Sequence, residues 1–407
     1  MAIQFKEKTL SNGLTIIAEV EPAAHSAAVG FFVKTGARDE DTRLMGVSHF
    51  LEHMMFKGTD ELSADDVNRG FDDLGARNNA FTSNEMTCFY AHVLPEHLLP
   101  ATELVAKMMR PALRQDDFDT EKNVILEEIA MYEDNPFWVL YEEAIDRHYR
   151  PHPLRHRVLG TKESITDLKR DEMMGYFTQR YSADNTVVSL AGNLDFDRAC
   201  DAVERLCGDW DRTGADRDNT APKVSREKFE MFDDKVSRGY LLGIADGPSA
   251  QDDRRYAATL AAQVLGAGGN SRLHWALVET GIAEEAMAAF DAHDGCGNTY
   301  VYASGEPDRL APIADAIDKE IAELPGNFEA DDLERLRSKA LTAATVGGEK
   351  PHDRMQRLGR LWTTIGEYRP LEEELDKLAA VTVEDCRKVA EEFPLSDATR
   401  GTLRPAP

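Results

Sequence analysis

Two histidines four residues apart, with a glutamate just before the second, occur in Gly46-Val47-Ser48-His49-Phe50-Leu51-Glu52-His53-Met54-Met55-Phe56. On an α-helix, positions i, i+3 and i+4 share a face, so His49, Glu52 and His53 project together. Two neutral imidazoles at that spacing can grip one metal ion and leave the carboxylate beside an open coordination position. Val47, Phe50, Leu51, Met54 and Met55 are apolar and bury the rest of the helix. Three polar side chains in such a helix are costly unless they have a task. A plainer account is two packed core histidines with a salt-bridged glutamate. The five-residue pattern favours a metal, because it supplies ligands and a base together.

A catalytic zinc usually has three protein ligands and one open position. The third is best sought in Glu121-Lys122-Asn123-Val124-Ile125-Leu126-Glu127-Glu128-Ile129-Ala130. Glu121 and Glu128 are seven residues apart, two helical turns, and lie on one face. One can bind metal while the other orients a histidine. Glu127 competes for the ligand role, and spacing alone does not exclude it. Without the histidines, these carboxylates would read as a solvent-facing stripe. Zinc lowers the pKa of bound water from about 15.7 towards ~7 and polarises a carbonyl. Glu52 would take the water's proton and hand it to the leaving group, help worth roughly 10²–10⁴-fold.

These groups need elements to hold them. An Asn12-Gly13 turn predicts a hairpin over 7–20. Apolar periodicity then predicts a strand over 27–35, the histidine helix over roughly 45–57 and a helix capped by Ser63. Paired strands over 79–91 follow, then helices over 96–110, 116–134, 137–150 and 171–180, a buried strand over 185–193 and a helix over 195–208. The polar, aperiodic stretch Arg212-Thr213-Gly214-Ala215-Asp216-Arg217-Asp218-Asn219-Thr220 reads as a linker. Strands over 227–232, 239–245, 284–290 and 298–304 alternate with helices over 252–265, 271–279, 307–323, 329–346, 350–365, 370–378 and 382–391. The expected fold is α+β in two like halves: 1–211 carrying the metal, a linker over 212–226, and 227–407 without metal.

At 407 residues, 42% apolar and 30% charged, the chain describes a soluble globular protein with room for two or more cores. Its net charge of −27 excludes nucleic acid and anionic membrane as electrostatic partners. Such acidity fits a solvated, self-repelling surface, or an inner cavity that favours basic peptide segments. No run approaches the roughly eighteen apolar residues of a membrane span, and the opening residues lack a signal-peptide core. Five scattered cysteines, Cys88, Cys200, Cys207, Cys296 and Cys386, predict buried free thiols and a cytoplasmic location. His148, His152 and His156 also recur every four residues, but Pro151 and Pro153 break the helix that would align them. They read as surface or packing histidines. Gly266-Ala267-Gly268-Gly269 lacks a following Lys-Ser/Thr and reads as a turn.

The stretch from His49 to Thr59, His-Phe-Leu-Glu-His-Met-Met-Phe-Lys-Gly-Thr, resembles the pitrilysin/insulinase (inverzincin) zinc metallopeptidases, in particular the short-chain branch near the mitochondrial processing peptidase. Asn79-Ala80-Phe81-Thr82, Glu121-x-x-Val124-Ile125-Leu126-Glu127-Glu128-Ile129, Glu133-Asp134-Asn135-Pro136, Leu159-Gly160-Thr161 and Ala191-Gly192-Asn193-Leu194 match as well, covering most of 5–210. Gly268-Gly269-Asn270-Ser271-Arg272-Leu273 is a fainter match in the second half. The resemblance implies a clam of two homologous halves, each of largely antiparallel sheet with flanking helices, around a closed chamber. It implies one zinc ion held by His49, His53 and Glu128, Glu121 supporting a ligand, and Glu52 as the base of peptide-bond hydrolysis. Asn79, Ala80, Phe81 and Thr82 correspond to an edge strand that pairs with extended peptide substrate.

One departure bears on partners. Active homo-oligomeric relatives carry an Arg and a Tyr after the second-half Gly-rich turn, where this chain reads Leu277-Val278-Glu279-Thr280-Gly281-Ile282-Ala283-Glu284. Losing a cation and a phenol weakens transition-state stabilisation. The resemblance therefore implies the metal-bearing subunit of a heterodimer whose homologous partner supplies both groups. The alternatives are a homodimeric peptidase of altered activity that uses Tyr300 or Tyr302, and a non-catalytic scaffold subunit. Scaffold relatives normally lose the histidines or the base, and all four groups are present here.

Overall fold

The structure, a computed structural model, describes residues 3–406. It resolves into two compact units. The first gathers Met1–Ile129, His156–Asp218 and Thr345–Arg369; the second gathers Ala130–Arg155, Asn219–Ala344 and Pro370–Pro407. The division at 212–226 follows sequence order, whereas these units each take in a segment from the other half of the chain.

The first unit is built on six strands: β1 (Gln4–Thr9), β2 (Thr15–Val20), β3 (Ala27–Val33), β4 (Arg77–Thr82), β5 (Thr87–Val93) and β6 (Thr186–Gly192). They run β1-β2-β6-β3-β5-β4, antiparallel except for β2 against β6. Every residue of β3 is buried, because both faces of the sheet are covered. Val29, Phe31 and Val33 join the large core, with Val47, Phe50, Leu51 and Met54 of α1 (Val47–Met55) and buried residues of α2 (Ala64–Asp73), α3 (Leu98–Met108) and α4 (Gln115–Glu133). On the opposite face, Ala28 and Phe32 pack with Cys88, Ala191 and Met355. A strand covered on both faces reads as a continuous apolar run, as 27–33 does.

Met355 lies on a helix from far down the chain, Pro351–Ile365, which we number α12. It approaches the sheet so closely that a Cβ on Gly359 would meet the Phe32 ring at 2.2 Å. Ser189 Oγ on β6 donates to the Met355 carbonyl at 2.9 Å. Arg354 donates to Glu19 at 2.9 Å and to Glu21 at 2.7 Å, and Arg357 donates to Glu19 at 2.5 Å. The buried carboxylate of β2 is thus neutralised by two guanidiniums of α12, as burial of a charge requires. The helix itself is expected from its period, but its sheet partner is not.

The second unit repeats the plan with β7 (Lys228–Asp233), β8 (Gly239–Gly247), β9 (Glu285–His293), β10 (Cys296–Gly305) and β11 (Thr399–Pro405), in the order β7-β11-β8-β10-β9 with β7 and β11 parallel. Its core is formed with α9 (Arg254–Gly266), α10 (Leu310–Glu323), α11 (Ala330–Gly348) and α14 (Val383–Glu392). The other face packs against α5 (Pro136–Tyr149), through Leu140, Ala144 and Tyr149 on Leu242, Ile244 and Tyr302. The remaining helices are α6 (Lys162–Asp167), α7 (Arg170–Arg180), α8 (Phe196–Cys207) and α13 (Leu371–Ala380). The fold is therefore α+β with two like halves. Strand β11 and helix α6 are additions to the expected elements, and the short helix expected over 271–279 contains a π-helical turn at His274–Val278.

Candidate metal centre

Helix α1 begins at Gly46, whose φ of 92° lies in the left-handed region. A Cβ there would meet the Leu159 carbonyl oxygen at 2.5 Å, so glycine is needed for both conformation and space. The helix is docked on α4 by Phe50, which stacks on Phe118 with ring centroids 4.8 Å apart. Its polar stripe then faces the carboxylates of α4. His49 Nε2 is 3.8 Å, and His53 Nε2 3.7 Å, from Glu128 Oε2. One donor atom from each of these three residues lies within 4.8 Å of the others.

Glu121, 5% exposed, accepts from Nδ1 of His53 at 2.8 Å and pairs with the Lys57 ammonium at 2.5 Å. The hydrogen bond to His53, with Lys57 beyond it, holds the Glu121 carboxyl below its ordinary pKa. A carboxylate can only accept, so the proton sits on Nδ1 and the Nε2 lone pair is directed at Glu128. Burial alone would lower the pKa of His53, but Glu121, Glu128 and Glu52 together raise it. His49 is different. Burial, with His53 beside it, pushes it down to about 3, leaving a neutral ring. Glu127 is exposed and stands outside the cluster. Of the two neighbouring carboxylates, Glu128 is the one that lies beside both histidines.

The donor set suits zinc. Two imidazole nitrogens and one carboxylate oxygen are a known catalytic zinc shell. Ligand atoms around a tetrahedral ion with ~2.0–2.1 Å bonds lie about 3.4 Å apart, and the observed 3.7 and 3.8 Å are slightly wider. His49 Nδ1 is buried without a hydrogen bond among the described residues.

Glu52 accepts from the Thr82 hydroxyl at 2.6 Å through Oε2. Burial raises its pKa, while the Thr82 hydrogen bond opposes the rise. Thr82 ends β4, the last strand of its sheet, so one side of that backbone has no strand neighbour among the described residues. Asn79, Ala80, Phe81 and Thr82 pair inward with Tyr90, Phe89, Cys88 and Thr87. Asn79 accepts from the Ala80 N–H at 2.9 Å, and Phe81 lies 4.4 Å from the Arg360 guanidinium. The expected edge strand and the histidine stripe thus meet at one hydrogen bond, Thr82 to Glu52.

The site also uses residues that sequence reasoning did not assign. Lys57 lies within the recognised motif, yet nothing in its spacing signals that it pairs with Glu121. Glu40 is buried, and its carboxylate accepts from N–H groups at the start of α1. Burial pushes its pKa up to about 8 against those donors. In the second unit, Glu279 accepts from His274 at 3.1 Å and Glu284 pairs with Arg238 at 2.9 Å. Tyr300 and Tyr302 belong to an aromatic cluster with Phe137, which is 5.0 Å from Tyr302. His148, His152 and His156 are buried; His148 is 3.0 Å from Thr399 Oγ1 and His156 is 3.0 Å from the Ala37 carbonyl. None joins the metal cluster.

Residues 15–162 match the Insulinase (Peptidase family M16) model, and 167–340 match the Peptidase M16 inactive domain model. An uncharacterized zinc protease of Mycobacterium leprae is 33% identical over 397 residues, covering 95% of this chain and 88% of that protein. The uncharacterized zinc protease YmxG of Bacillus subtilis is 30% identical over 404 residues, 98% of each chain. A crystal structure of a protease from Helicobacter pylori shares the fold, with a TM-score of 0.92 at 20% identity over 99% of this chain and 100% of that one. The chain belongs to peptidase family M16, the insulinase family.

Proposed function

We propose that the protein is a zinc-dependent endopeptidase, with His49, His53 and Glu128 holding the ion and Glu52 as the acid–base group. The convergence of the two Nε2 atoms on Glu128 Oε2, with Glu52 on the same helical face, carries this reading. Zinc bound there would supply Lewis-acid polarisation of the scissile carbonyl and a water acidic enough to ionise near neutral pH. The protein's own groups do the rest. Glu52 Oε1, not engaged by Thr82, takes the proton of the attacking water and returns it to the departing amine nitrogen. The Thr82 hydroxyl keeps the carboxylate turned in that direction. The free backbone side of β4, over Asn79–Thr82, pairs with an extended peptide and aligns its scissile bond. An extended conformation is a property of short or unfolded peptides.

We also propose a homologous partner subunit, because the Leu277–Glu284 stretch lacks the Arg and Tyr of homo-oligomeric relatives and its Glu279 and Glu284 are already engaged. A reducing, cytoplasmic setting is supported by five free cysteines. No helix among the described residues is long and apolar enough to cross a membrane.

The test is cleavage of a quenched-peptide library by the purified, zinc-loaded chain alone, with Glu52→Gln as control. Chelator-sensitive cleavage that the variant lacks supports the peptidase reading and rules out an obligate partner. Silence with one equivalent of zinc bound supports the missing partner. Failure to bind zinc refutes the assignment.

A further inference from the structure

Helix α1 starts without a cap of its own. The leading N–H groups of a helix need acceptors from outside it, normally a Ser, Thr, Asp or Asn side chain at the N-cap. The N-cap here is Gly46, which has none. The acceptors come from six residues upstream. Gly46 N–H donates to Glu40 Oε2 at 2.7 Å, and Ser48 N–H donates to Glu40 Oε1 at 2.8 Å. The Tyr176 hydroxyl adds a second tie, 2.8 Å from Ser48 Oγ and 2.7 Å from Thr35 Oγ1.

Glu40 reaches the helix on a braced arm. Neighbouring Asp39 accepts from Arg217 at 2.9 and 2.6 Å and pairs with Arg180 at 2.8 Å. Arg38 pairs with Glu85 at 2.6 Å and donates to the Asp218 carbonyl at 3.0 Å. Arg38, Glu85, Arg180 and Arg217 are buried. The stretch around 217, aperiodic in sequence, is therefore part of the brace and not a free tether.

The two histidines differ in what holds them. His53 has Glu121 on Nδ1. His49 has no hydrogen-bond partner on Nδ1 among the described residues. Its aim must come from the backbone of the first helical turn, in which it is the third residue after Gly46.

We propose that Glu40 is a positioning residue of the metal centre, fixing the first turn of α1 so that His49 Nε2 is held towards Glu128. The inference rests on the zinc reading above. It is tested by zinc affinity, measured by chelator competition, and by the visible spectrum of the cobalt-loaded chain. Glu40→Met removes both acceptors at similar volume, whereas Glu40→Gln keeps one carbonyl. Val188→Ala, in β6, lowers stability from a position outside α1 and the Glu40 arm. The expected result is zinc binding about 10–100-fold weaker in Glu40→Met, a smaller loss in Glu40→Gln, altered cobalt bands in both, and unchanged affinity in Val188→Ala. If Glu40→Met does not fold, Glu40→Gln carries the comparison. Wild-type affinity and spectrum in a folded Glu40 variant overturn the inference, as does an equal loss in Val188→Ala. Absence of metal binding by the wild-type chain refutes the zinc reading instead, and separates the two failures.

Discussion

Glu121→Gln is the sharpest probe of how His53, a proposed zinc ligand, is held. The glutamate serves two partners at once, Nδ1 of His53 at 2.8 Å and the Lys57 ammonium at 2.5 Å. Glutamine has nearly the same shape but one acceptor and one donor. With its carbonyl towards His53, its NH₂ group confronts the Lys57 cation; turned over, it confronts the His53 N–H. Either way one bond is lost, and the survivor is no longer made to an anion. A hydrogen bond to a charged group contributes roughly 1.5–3 kcal/mol and a neutral one roughly 0.5–1.5. The expected loss is therefore about 1–2 kcal/mol of zinc binding, or roughly 5–30-fold in affinity. Chelator competition near neutral pH measures it, with far-UV circular dichroism to confirm the fold. Glu127→Gln is the control, since Glu127 is exposed and outside the cluster. Affinity within twofold of wild type in Glu121→Gln would show that Glu121 does not support His53. A loss confined to Glu127→Gln would refute the assignment of both carboxylates.

Two further outcomes follow from packing and charge. Gly359→Ala should destabilise the protein by about 1–3 kcal/mol in thermal or urea unfolding, because the added methyl meets the Phe32 ring at 2.2 Å; helix propensity alone predicts a gain of about 1 kcal/mol, so stabilisation would contradict the described seat of α12. Asp146→Asn should cost more stability at pH 7 than at about pH 2, the deficit shrinking only below the ordinary carboxylate range. Burial alone would raise the Asp146 pKa, but Arg155 at 2.8 Å and Arg150 together hold it below the ordinary value. A depressed carboxylate stabilises above its unfolded pKa and loses that contribution as pH falls through its folded one. An equal deficit at both pH values in urea titrations would refute the ion-pair account.

The shared face of His49, Glu52 and His53 was legible because helical period and residue chemistry agree over five positions, and β3 was legible as a long apolar run because it is buried on both faces. The turn at Asn12-Gly13 and the Ser63 cap were legible for local reasons: the hairpin turn forms, and Ser63 accepts from Asp66 N–H. What escaped depends on distant chain. Strand β11 reads as a polar tail, with Arg400, Gly401, Arg404 and Pro405, and becomes a strand by inserting between β7 and β8. Glu40 is one acidic residue among 74, and its role exists only once Gly46 has left the helix start without a cap. The choice of Glu128 over Glu127 needed the resemblance, since both lie on the same helix one residue apart.

The seat of α12 has a consequence for synthesis. Chains grow from the N-terminus, and domains commonly fold as they emerge. The first sheet is complete in sequence by Gly192, yet the face bearing Ala28, Phe32, Cys88 and Ala191 waits for Met355, and Glu19 waits for Arg354 and Arg357. Until then an apolar surface and a buried-to-be anion stand in water. Such late closure between residues more than three hundred positions apart slows folding. A nascent chain halted in the stretch around 217 would therefore present the ribosome's surroundings with a sheet finished along its edges and bare on one side.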